Sequence, residues 1–109
     1  MEKNKYSLRY IPLFYYDISS IVEYIVNTLN NPSAASQLVD KIEGAIKERQ
    51  PFAESFEKIE SSKERRYPYY RIYVDNYVIY YVVYSEGKND KIMEVRRVLY
   101  KGMDRTKVL

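Results

Sequence analysis

Two arginines stand where a positive charge is costly to bury, and they are the first candidates for a functional site. Arg71 lies within a run of tyrosines that alternates like a strand interior. Arg97 shares one predicted strand face with three apolar residues, Met93, Val95 and Leu99. A guanidinium in such a place requires an anion. For Arg97 the anion is a phosphate, a partner's carboxylate, or an internal carboxylate such as Glu43, Glu94 or Asp104, and the residues alone leave these possibilities open.

The remaining composition narrows the chemistry that these arginines could serve. The 109 residues include no cysteine and no histidine, so thiolate nucleophiles, the commonest metal ligand and the commonest general base are missing. The carboxylates do not converge: Asp17 and Glu23 fall on the outer face of a predicted helix, and Asp75 falls in a predicted turn. We therefore expect no carboxylate catalysis, no metal site and no cofactor.

Tyrosine and positive charge are concentrated in the second half of the chain. Nine of the 14 tyrosines lie between Tyr67 and Tyr100. Residues 57–109 hold twelve basic and eight acidic residues, whereas residues 1–56 hold six and seven. Basic residues among aromatics are typical of a nucleic-acid interface, but ordinary sheet packing with a solvated surface explains the same pattern.

Hydrophobic periodicity predicts the elements that would position these side chains. Residues 6–11 alternate as a short strand, and residues 14–29 and 32–51 repeat as two amphipathic helices. A loop is predicted over residues 52–64. Residues 69–74, 77–84 and 91–99 read as three strands, the first two joined by a two-residue turn at Asp75 and Asn76.

The order β-α-α-β-β-β predicts one α+β domain over residues 1–109. In it an antiparallel sheet carries a helical hairpin on one face and leaves the other face open. The longest apolar run, residues 77–84, is about half the ~20 residues that a membrane helix needs, and the first residues do not read as a signal peptide. We therefore expect a soluble protein of the cytoplasm.

Several segments, taken in order, resemble the RelE/ParE superfamily of bacterial toxins. They are the first strand and helix with Asp17, the junction Asn31-Pro-Ser-Ala-Ala35, and the strand segments Tyr70-Arg71-Ile72, Asn76-Tyr77-Val-Ile-Tyr80 and Val95-Arg96-Arg97-Val98-Leu99-Tyr100. The helix aspartate, the junction and the Arg-Val-Leu-aromatic ending are most similar to the ParE branch, also called plasmid stabilisation proteins.

The resemblance implies a toxin of a type II toxin–antitoxin system, neutralised by a cognate antitoxin protein. ParE-like members are taken to act on DNA gyrase, whereas RelE-like members cut messenger RNA on the ribosome. This sequence departs from the nuclease pattern at three positions: Val78 and Tyr73 stand where basic residues are expected, and Tyr100 stands where many relatives have histidine. Lys101 alone remains of the basic pair that follows it.

We therefore predict a gyrase-binding toxin whose target- or antitoxin-binding residues are Arg71, Tyr73, Arg97, Tyr100 and Lys101. The alternatives are a ribosome-dependent endonuclease that uses Arg71, Arg97, Tyr100 and Lys101, or an inactive relative that only binds its antitoxin. RNA cleavage through a 2′-hydroxyl needs a proton acceptor, and neither tyrosine nor lysine accepts a proton at neutral pH without a large pKa shift.

Overall fold

The first strand passes directly into a helix at Pro12. The computed structural model describes residues 5–59, 66–104 and 108–109. Strand β1 covers Tyr6–Tyr10 and helix α1 covers Pro12–Glu23, with Pro12 in the first helical turn, where its missing N–H costs no hydrogen bond. Helix α1 continues as one π-helical turn, Tyr24–Thr28. The predicted strand and helix are confirmed, except that Leu29 is exposed.

The second helix begins directly after Asn31, which caps it. Helix α2 covers Pro32–Arg49, and the Asn31 side chain accepts a hydrogen bond of 3.1 Å from the Ala34 N–H. A short 3₁₀ turn, Gln50–Phe52, follows it. Residues 60–64 of the predicted loop lie outside the described residues. No helix in the part of the chain that the structure describes is long and apolar enough to cross a membrane.

The remaining chain forms three consecutive strands, β2 (Tyr70–Val74), β3 (Tyr77–Glu86) and β4 (Asp90–Tyr100). The sheet order is β1-β4-β3-β2; β2/β3 and β3/β4 are antiparallel, but β1 runs parallel to β4. The α+β fold is confirmed, and the expectation of an entirely antiparallel sheet is corrected at β1. Parallel strands need a long crossover connection, and between β1 and β4 the two helices and two other strands intervene.

One sheet face packs under the helices, as predicted. Phe14, Leu38 and Ile46 lie in the same buried cluster as Tyr81 and Val95. Tyr81 is completely buried, and its hydroxyl donates to the Ala53 carbonyl at 2.7 Å while accepting from the Arg49 guanidinium at 3.0 Å. The buried Tyr81 hydroxyl therefore has both a hydrogen-bond donor and an acceptor as partners.

The second face is not open, which corrects the prediction. It carries its own buried cluster of Tyr69, Val78, Tyr80, Val82 and Leu99. The connection before β2 covers this cluster through Ile59 and Tyr67, and the chain end covers it through Leu109. Most tyrosines of the second half are thus core material, whereas Tyr73 on β2 remains 61% exposed.

A β-bulge in β4 shifts the alternation that the sequence suggested. Tyr80 pairs with Arg97 but the next residue, Tyr81, pairs with Val95, so Arg96 is an extra residue. Met93, Val95 and Val98 therefore join the helix-side cluster, whereas Leu99 joins the other. The predicted grouping of Arg97 with Met93 and Val95 is wrong because the bulge reverses the faces beyond Val95.

Candidate functional site

Strand β4 extends past the end of β1, and helix α1 fills the gap. The last β1 residue, Tyr10, pairs with Val95, so the following half of β4 has no strand neighbour on that edge. Asp17 on α1 lies there instead, and its Oδ2 accepts a hydrogen bond of 3.1 Å from the Val98 N–H. The Asp17 carboxylate thus accepts the hydrogen bond from the Val98 N–H that a neighbouring strand would otherwise accept.

The same carboxylate holds Arg97 in a bidentate ion pair. Arg97 Nε donates to Asp17 Oδ2 at 2.8 Å, and Arg97 Nη2 donates to Oδ1 at 2.9 Å. The two side chains are only 16% and 13% exposed. Arg97 therefore has an internal anion, but it is Asp17 and not Glu43, Glu94 or Asp104. The placement of Asp17 on the outer helix face is also wrong.

An apolar groove opens beside this ion pair, between α1 and the end of β4. Its volume is about 600 Å³. Besides Asp17 and Arg97, its lining includes Ile21, Tyr24, Tyr77, Tyr100, Met103 and Val108. Tyr100 packs edge to face on Tyr77, with ring centroids 6.0 Å apart, yet remains 56% exposed. Of the predicted site residues, the groove brings Arg97 and Tyr100 together.

Lys101 lies where β4 ends, next to the groove. Its backbone N–H donates to the Asn76 carbonyl at 2.7 Å, which ties the end of β4 to the β2–β3 turn. The residue is exposed, so its ammonium group faces solvent beside Tyr100. Arg97, Tyr100 and Lys101 therefore form one continuous part of the predicted site.

Arg71 and Tyr73 lie on β2, two strands away from β4. Arg71 pairs with Tyr80, and Tyr80 pairs with Arg97, so the three residues form one row across the sheet. At the usual strand spacing the Cα atoms of the two arginines are about 10 Å apart. The Arg71 Cζ lies 5.7 Å from the centroid of the Tyr73 ring. No described carboxylate forms an ion pair with Arg71, in contrast to Arg97.

The groove favours protonated groups. Burial raises the pKa of Tyr77 above its usual value, and the hydrogen bonds that Arg97 donates to Asp17 raise the pKa of Arg97. Neither group accepts a proton at neutral pH. Among the described residues, no cluster of three or more carboxylates could hold a metal ion. The groove thus offers apolar surface and hydrogen-bond donors.

Sequence reasoning did not place Asp17 in the site, although a signal was present. Asp17 is preceded by Phe14 and followed by Ile21, at three and four residues, so it lies close to the buried stripe of its helix. A carboxylate beside such a stripe requires a cation, and Arg97 supplies it. Tyr24, Tyr77 and Met103, which also line the groove, carry no comparable signal.

The arrangement of sheet and helical hairpin defines a small α+β fold that also occurs among solved structures. One match is described as the chromosomal ParDE TA system from P. aeruginosa, with a TM-score of 0.65 and 17% sequence identity. The match covers 90% of this chain and 98% of that one. At this identity the likeness establishes the fold.

The family follows from the sequence match. The family model for the ParE toxin of the type II toxin-antitoxin system, parDE, matches residues 8–105. The chain therefore belongs to the ParE toxin family and is a toxin of a type II toxin–antitoxin system, as the resemblance predicted. A search of curated proteins found no match.

Proposed function

We propose that this toxin arrests growth in the cytoplasm by binding a macromolecular target, DNA gyrase, and that a cognate antitoxin neutralises it. The binding residues are Arg97, Tyr100 and Lys101 at the groove, together with Arg71 and Tyr73 on β2. In this proposal the toxin binds its target and cleaves no bond in it. The target and the antitoxin would meet a surface that is apolar at its centre and basic at its rim.

The observation that supports binding over RNA cleavage is the bidentate pair between Arg97 and Asp17. A nuclease must place free positive charge on the scissile phosphate and must have a group that takes the 2′-hydroxyl proton. Arg97 is already neutralised by Asp17 at 2.8 and 2.9 Å. Burial raises the pKa of the neighbouring Tyr77, so it holds its proton more tightly. Neither requirement is met by these groove residues.

The exposed rim of the groove supports a protein partner. Tyr24, Tyr100 and Met103 are 51%, 56% and 48% exposed around an apolar floor. Clustered exposed apolar side chains of this size mark interaction sites, and Arg71 and Lys101 favour an acidic partner. An antitoxin segment with apolar residues and a few carboxylates would complement this surface.

Controlled expression of the full chain in bacteria tests the proposal. Gyrase inhibition predicts filamentous cells and a DNA damage response, which coexpression of the neighbouring antitoxin gene abolishes. Rapid arrest of translation with cleaved messages would instead indicate an RNA endonuclease, and normal growth with intact antitoxin binding would indicate an inactive relative.

A pair of matched variants tests the site. Tyr100→Ala with Lys101→Glu should remove toxicity while the protein remains folded. Lys88→Glu, an exposed change in the turn between β3 and β4, should leave toxicity unaltered. Full toxicity of the Tyr100/Lys101 variant would place the binding surface elsewhere.

A further inference from the structure

The outward face of α1 is apolar and largely exposed, and two of its residues, Ser20 and Tyr24, also line the groove. Leu13, Tyr16 and Tyr24 are 49%, 70% and 51% exposed. With the exposed Ser20 they recur at three, four and four residues, so they form one stripe along the helix. We call these four residues, Leu13-Tyr16-Ser20-Tyr24, the α1 stripe.

The solvent face of α2 shows that the α1 stripe is not an ordinary exposed helix surface. Half of the exposed residues of α2 are charged, namely Asp40, Lys41, Glu43, Lys47 and Glu48. Helix α1 has two charged residues: Asp17, which forms the ion pair with Arg97, and Glu23 at the helix end. An uncharged, aromatic helix face beside a normally charged one indicates an interface.

We propose that the α1 stripe binds a second copy of this chain in an antiparallel helix pair about a two-fold axis at Ser20. In this arrangement Tyr16 faces the partner's Tyr24, and Tyr24 faces the partner's Tyr16. The small Ser20 lies at the crossing point, where it allows the helix backbones to approach closely. A two-fold interface requires such a self-complementary surface.

Charge favours a second copy over an oppositely charged partner. The chain carries a net charge of +3, so two copies repel each other weakly overall. The α1 stripe itself is uncharged, and an acidic partner would find no cation on it to bind. Glu23 would lie near the partner's Asp17, whose charge Arg97 already neutralises. Two copies can therefore meet here without like-charge repulsion.

The size of the stripe sets the strength of the dimer. Helix α1 and its π-helical turn contain 12 and 5 residues, which span about 25 Å. One helix pair of this length buries less than the roughly 1,200 Å² that is typical of stable complexes. The dimer is accordingly weak and concentration dependent. The inference rests on the exposed surface of α1, which shares Ser20 and Tyr24 with the groove, and it does not depend on which target the toxin binds.

Sedimentation velocity of the purified full chain over a concentration series tests the proposal. The wild-type chain should shift from monomer towards dimer as concentration rises. Ser20→Arg, which places a charge on each side of the two-fold axis, should remain monomeric. Ser36→Arg, the same change on the exposed face of α2, should dimerise like wild type. A chain that is monomeric throughout, or a dimer that Ser20→Arg leaves intact, would overturn the proposal.

A cysteine variant locates the axis. Because the chain has no cysteine, Ser20→Cys introduces a single thiol. Mild oxidation should convert Ser20→Cys to a covalent dimer many times faster than Ser36→Cys. Equal rates for the two variants would show that α1 does not form the contact.

Discussion

At the scale of single residues, Asp17 determines what Arg97 can do. The two residues are separated by 80 positions, yet the carboxylate binds both the guanidinium and the adjacent Val98 N–H. Arg97 therefore stabilises the junction between α1 and β4, whereas Arg71 is the arginine of the predicted site that lacks a described carboxylate partner. The two arginines should respond differently to replacement.

Replacing Arg97 with alanine should destabilise the protein by about 3 kcal/mol, because it leaves the largely buried Asp17 carboxylate without its cation. Urea unfolding followed by circular dichroism measures this change. Asp17→Asn should destabilise in the same direction, since it removes the charge while keeping the shape. Arg71→Ala is the matched control and should alter the free energy of unfolding by less than about 0.5 kcal/mol. Equal stability of Arg97→Ala and wild type would contradict the structural role of the pair.

Tyr6 gives a prediction for alkaline pH. Burial, together with the hydrogen bond of 2.9 Å that its hydroxyl donates to Glu54, raises the pKa of Tyr6 to about 12. The unfolded chain ionises this phenol near pH 10, so the stabilisation is complete below pH 10 and is lost as the pH rises towards 12.

The loss attributable to Tyr6 is about 3 kcal/mol. Urea unfolding between pH 9 and pH 12 should therefore show a steeper decline for wild type than for Tyr6→Phe, which cannot ionise. Other buried tyrosines, such as Tyr81, have pKa values raised by burial and contribute to the remaining slope of both proteins. Identical slopes would show that Tyr6 is not the group responsible.

The sequence predicted which arginines matter but not the residue that pairs with Arg97. The two arginines were identifiable because charge in an apolar strand demands an anion. The partner of Arg97 was not, because the bulge at Arg96 and the early end of β1 decide which side of β4 the guanidinium can reach. Both features depend on pairing between distant segments.

At the scale of elements, local signals were sufficient for the helices and strands. Pro12 marks where β1 ends, Asn31 and Pro32 mark where α2 begins, and the change from a helical period to alternation marks the start of the sheet. Alternation alone could not reveal the bulge, because one extra residue leaves no local composition signal. The cover over the second face was missed for a related reason: Ile59, Tyr67 and Leu109 come from segments without a regular period.

Replacing two of the glycines with alanine should change the stability of the protein in opposite directions. Gly87 in the turn between β3 and β4 has φ of 81°, so Gly87→Ala should destabilise by about 1 kcal/mol through backbone strain. Gly44 lies inside α2 with open space where a Cβ would be placed, so Gly44→Ala should stabilise by about 0.5–1 kcal/mol through helix propensity. Thermal unfolding of both variants measures the difference, and a shift of the same sign in each would contradict the assigned backbone conformations.

At the scale of the whole molecule, the described surface has two adjoining regions around the end of the sheet. The groove rim with Tyr100 and Lys101 is apolar and basic, whereas the α1 stripe is apolar and uncharged. The first suits a protein with carboxylates, and the second suits a second copy of the chain. Because Ser20 and Tyr24 also line the groove, a partner bound there should weaken self-association.

The claim that this ParE-family toxin inhibits by binding is tested most directly with purified components. The full chain is added to DNA gyrase with relaxed plasmid and ATP, and in parallel to translating ribosomes carrying a defined messenger RNA. We predict dose-dependent loss of supercoiling, relieved by the cognate antitoxin, while the messenger RNA remains intact. Unimpaired supercoiling together with messenger RNA cut on the ribosome would contradict the account.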